Sequence, residues 1–136
     1  MSDSVTSGPA DQARQIAEVF ASMSRTLDAY IQTHLKELTP DQQDYLGDLI
    51  RQLDDAHDLF TATAIQETLD ALRDDLSEIA AVSARAEQAL KHLERVGEIM
   101  KLAAGLAELC ADVTTGDYGA IPSALANIVE AIPAQA

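Results

Sequence analysis

The sequence is poor in several things that chemistry and membranes require. Among its 136 residues there is one cysteine, Cys110, which excludes an intramolecular disulfide and a thiolate zinc site. A lone thiol fits a reducing compartment, and the cytoplasm is the expected location. Tryptophan is absent and aromatics make up 4% of the chain, so a β-rich core is disfavoured. Lys and Arg number 9 against 23 Asp and Glu, a formal charge of −14. Nucleic acid is held largely by basic side chains on phosphates, and that deficit excludes it as a partner. An anionic membrane surface is repelled for the same reason.

No window of eighteen apolar residues occurs, so no standard transmembrane helix is expected. Met1 to Val5 has neither a basic region nor an apolar run, and no classical signal peptide is visible. Phosphate-binding glycine loops and serine nucleophile elbows are missing too. No enzyme chemistry is indicated.

What is abundant is alanine, leucine, aspartate, glutamate and glutamine, a helix-forming mixture. The expected fold is all-α, with residues 1–8 as a flexible tail and 9–136 as a single domain. Leu69, Leu72, Leu76, Ile79, Ser83, Ala86, Leu90, Leu93, Gly97 and Met100 recur at alternating threes and fours. That heptad rhythm predicts one long helix over about 63–113, laid against its neighbours as in a coiled coil. Such a helix would span on the order of 70 Å. Gly97 is the candidate kink, since Lys91, His92 and Arg95 precede it like a last helical turn and Glu98 follows like a first.

Two helices are expected before it. Pro9 opens the first, whose stripe runs Ile16, Phe20, Met23, Leu27, Tyr30 or Ile31, Leu35 and Leu38. Thr39-Pro40-Asp41-Gln42 is a capping box with proline in the first helical turn, which ends helix one near Leu38 and starts helix two. Helix two carries Leu46, Leu49, Leu53, Ala56 and Phe60. Thr63-Ala64-Ile65-Gln66 repeats the capping pattern and places a break at 61–63. At the far end, Thr114 to Gly119 is a turn cluster, and Pro122 starts a short last helix with Leu125, Ile128, Val129 and Ile132 on one face. The architecture predicted is an antiparallel helical bundle, two helices on a longer third with the fourth folded over its far end.

Two surfaces are candidates for partner binding. Between Asp41 and Glu78 stand eleven acids and two bases, and Asp44, Asp48, Asp55 and Asp58 share the helix-two face opposite the leucines. A ladder of like charges costs a few tenths of a kcal/mol per pair. It suits capture of a basic protein, as an adaptor or an immunity or inhibitor protein does; the plainer reading is a solvated face. The second surface is Ala103, Ala107 and Ala111, small residues at helical spacing that admit another helix closely. They suit packing under the last helix, a homo-oligomer contact, or a weakly charged hairpin that enters a membrane as pore-forming proteins do. Glu108 and Asp112 weigh against the membrane.

Metal or cofactor chemistry has one weak candidate. Asp54 and His57 lie one turn apart, but neither His34 nor His92 supplies a second half of the kind di-metal bundles use. No cofactor is expected. The function expected is a non-catalytic protein–protein interaction module, with the membrane-active hairpin as the competing reading.

Overall fold

The computed structural model describes residues 9–61, 72 and 74–132. Among them are five α-helices, one 3-10 turn and no strand: α1 (Pro9–Thr33), α2 (Pro40–Thr61), α3 (Leu76–His92), α4 (Val96–Thr115), the turn Tyr118–Ala120 and α5 (Ile121–Ala131). The all-helical reading is correct. The expected tail at 1–8, the capping box Thr63–Gln66 and the start of the long helix lie outside the described residues.

The α2 start is built as its sequence dictates. The Thr39 amide donates to Gln42 Oε1 at 2.9 Å and the Gln42 amide donates to Thr39 Oγ1 at 3.1 Å. Both halves of the capping box are present. Leu46, Leu49, Leu53, Ala56 and Phe60 are all buried, and Phe60 meets Phe20 of α1 edge to face with ring centroids 5.8 Å apart.

α1 stops at Thr33 and not near Leu38 as expected. Its last turn is diverted by side chains. Thr33 Oγ1 donates to the Ala29 carbonyl at 3.0 Å, and His34 Nδ1 lies 3.0 Å from the Tyr30 carbonyl. Leaving the helix early lets Leu38 bury at 5% exposure while Leu35, an expected stripe residue, stands 46% exposed. Gln43 Nε2 then donates to the Leu38 carbonyl at 3.2 Å, satisfying one group of the corner.

The single helix over about 63–113 is not what forms. The chain leaves helical geometry at Leu93 (ψ 136°) and re-enters after Arg95 (ψ 129°), so α3 has 17 residues and α4 has 20, both shorter than α1 with 25. Among the described residues there is no longer third helix to act as a spine. The break also precedes Gly97, which sits in the first turn of α4. Lys91 and His92 close α3 and Glu98 opens α4, as the charge pattern suggested.

Nothing local forbids continuity here; packing decides. A rod carried on past Leu93 would strand Ile99, Leu102, Leu106, Leu109 and Val113, which are buried in the folded chain. Burying such side chains stabilises by about 1.5–3 kcal/mol each. Interrupting a helix loses a few hydrogen bonds of about 1 kcal/mol. Burial wins, and the Tyr30 hydroxyl donates to the freed Glu94 carbonyl at 3.3 Å.

α1 packs on α2 and α3, α2 on α4, α4 on α5 and α5 on α3, so the contacts close a ring around one hydrophobic cluster. The antiparallel packing expected of the first helix on the third does not hold for α1 and α3. Gln12 near the start of α1 bonds Ser77 near the start of α3 at 2.9 Å, and Tyr30 reaches Glu94 beyond the α3 end. These two helices therefore run parallel. α4 ends at Gly116, whose φ of 81° is left-handed, and the Asp117 amide reaches back to the Asp112 carbonyl at 2.9 Å. Pro122 in the first turn of α5 and the fold-back of α5 onto α4 agree with the sequence reading.

Candidate interaction surfaces

α2 presents the acidic face intact. With its leucines turned inward, Asp41, Asp44, Asp48, Asp54, Asp55 and Asp58 are all exposed. One basic residue interrupts them, Arg51, and it pairs with Asp48 one turn away. His57 Nδ1 lies 3.1 Å from Asp58 Oδ1, on a face left open to water. Exposed pairs of this sort contribute at most about 1 kcal/mol. The face is thus set by helical phase and carries its charge nearly undiluted.

The alanine series is divided by the structure. Ala103 is fully buried in the core, Ala107 is half-buried and Ala111 is exposed, so the three do not form one accessible surface. The close approach that they suggested occurs two residues away. A methyl group on Gly105 would lie 2.9 Å from Ile128 Cγ1 and 3.3 Å from the Ile128 Cα. Gly105 is the residue on which α5 sits, and Asn127 Nδ2 donates to Glu108 Oε1 at 2.9 Å beside it.

Cys110 is 1% exposed. Burial, with the charge of Asp55 second, pushes its thiol up to about 12. In that setting the side chain packs as a small hydrophobe and is a poor nucleophile or metal ligand. Among the described residues no group of three His, Cys, Asp or Glu side chains is placed to hold a metal ion.

Two clefts lie where sequence reasoning did not look. One of about 490 Å³ is bounded by Glu18, Val19 and Arg25 of α1 and Ala80, Ala84 and Glu87 of α3. A second, about 590 Å³, continues the same seam past Tyr30, Thr33 and His34 to Leu90, His92 and Glu94. Ala80 and Ala84, four residues apart, were the available signal. Their meaning depended on α3 lying parallel to α1, which no local pattern states.

Comparison of the chain with protein-family models, with curated proteins and with solved structures finds no match.

Proposed function

We propose that the chain is a non-catalytic interaction module, a helical bundle whose α2 outer face captures a basic protein in the cytoplasm, as an adaptor or an immunity or inhibitor protein does. The observation carrying this reading is the exposure of six aspartates along Pro40–Thr61 against the single Arg51. Such a stripe raises a negative potential that speeds encounter with a positive surface and rejects an acidic one. Tyr45, 38% exposed among Asp41, Asp44 and Asp48, adds an aromatic side chain of the kind that anchors interfaces.

The membrane-active alternative has less in its favour. The apolar faces of α4 and α5 are already spent on each other and on α2 and α3. No helix among the described residues is long and apolar enough to cross a membrane.

The experiment is charge reversal. A variant with Asp44, Asp48, Asp55 and Asp58 all changed to Lys keeps the helix, since all four are exposed, and inverts the face. Capture of a basic protein from the native source should be abolished in the variant and lost from wild type as salt is raised. Equal capture by both chains removes the proposal.

A further inference from the structure

We propose that the face formed by α1 and α3 is a homodimer interface, against which the same face of a second copy of the chain packs in antiparallel orientation. The two clefts described above lie end to end along this face. From Gln15 to Thr33 the groove runs about 27 Å at 1.5 Å per residue. Ala80 is half-buried and Ala84 exposed between the two helices, so the same face of a second copy can approach closely.

Charge identifies the occupant as a second copy. A chain of net −14 repels itself wherever acids are in excess, so association requires a face where the signs nearly balance. The groove is such a face. Glu18, Glu87 and Glu94 line it with Arg25 and Lys91, whereas α2 sets six acids against one base. Along α1 the order of the two groove charges is also self-complementary. Glu18 and Arg25, both exposed, stand seven residues apart on one side of α1, about 10 Å along the axis, too far to pair with each other. A two-fold axis passing near Ala21 and Ser22, both small and half-buried, exchanges the two positions. Glu18 then meets Arg25 of the copy, and the reverse pair forms by symmetry. The parallel dipoles of α1 and α3 are opposed by antiparallel ones across that axis. The α2 face lies outside this contact and stays available to another partner.

Sedimentation equilibrium with charge swaps tests the arrangement. Wild type should dimerise at protein concentrations below ~1 mM. Arg25→Glu or Glu18→Arg alone, each placing like charges together twice per dimer, should weaken association by at least ~10-fold. The double variant Glu18→Arg/Arg25→Glu should recover it to within ~3-fold, because the swapped pairs attract again. Ala84→Trp fills the groove and should abolish the dimer. Circular dichroism confirms that each variant is folded. A wild type that is monomeric at ~1 mM, single swaps without effect, or a double swap that fails to recover would each overturn the proposal.

Discussion

Gly105 has no room for a methyl group. An added Cβ meets Ile128 at 2.9 Å, and the neighbouring backbone atoms at 3.3 Å belong to α5 itself, so relief means moving a helix. Overpacking of this kind costs about 1–3 kcal/mol, more than the roughly 1 kcal/mol that alanine gains over glycine in a helix. Gly105→Ala should therefore lower stability by about 1 kcal/mol in urea unfolding. Gly47→Ala, where nothing lies within 4 Å, should raise it by about 0.5–1 kcal/mol. Equal behaviour of the two would mean that α4 and α5 are not this close. Asp112 makes a second prediction at this scale. Burial first, then Asp117 and Glu108, raise its carboxyl above the usual aspartate range. A group with a raised folded pKa favours folding below its unfolded pKa, and that contribution is lost as pH rises through the folded value. At neutral pH the ionised side chain opposes folding. Asp112→Asn should stabilise the protein at pH 7, with the gain fading as pH falls through the carboxylate range; a gain independent of pH would exclude this cause.

Elements formed where a signal could act over a few residues. Thr39 and Gln42 satisfy each other across one turn, and no distant contact is needed to choose that geometry. Thr39→Ala should cost about 1 kcal/mol in chemical denaturation while Thr39→Ser costs little; equal loss in both would place the effect elsewhere. The Gly116 turn and the entry at Pro122 were legible for the same local reason, as was the aspartate face, which needs only the period of one helix. The junction at 93–95 was not. Its heptad seam runs unbroken from Leu76 through Ile79, Ser83, Ala86 and Leu90 to Leu93, all buried, and then Gly97 is exposed and Ile99 and Leu102 take over. The apolar residues after the junction continue a helical rhythm, so the pattern alone favours a rod. Only the presence of α2 and α5 makes the break more stable than a rod, and those are contacts with residues far away in sequence. The α1–α3 groove was hidden for the same reason.

At the scale of the whole molecule, charge sets the terms. Lys and Arg number 9 against 23 acids, and the ion pairs between Lys or Arg and acids among the described residues are short-range helix pairs on the surface: Asp11 with Arg14, Asp48 with Arg51 and Glu87 with Lys91. Exposed pairs contribute about 0–1 kcal/mol each. Repulsion between the remaining acids acts over longer distances and at every separation shorter than the Debye length. That length falls from about 30 Å at 0.01 M salt to about 8 Å at 0.15 M. Screening therefore removes more repulsion than attraction, and folding stability should increase with salt. A thermal melt repeated between these two ionic strengths should show Tm rising by several degrees, with most of the gain complete before physiological salt. Reversing Asp44, Asp48, Asp55 and Asp58 to Lys should shrink that salt response, since the net charge then falls from −14 to about −6. A Tm that fell with salt would mean that local pairs outweigh the long-range field. The acidic face would then be a neutralised surface and a poor lure for a basic partner.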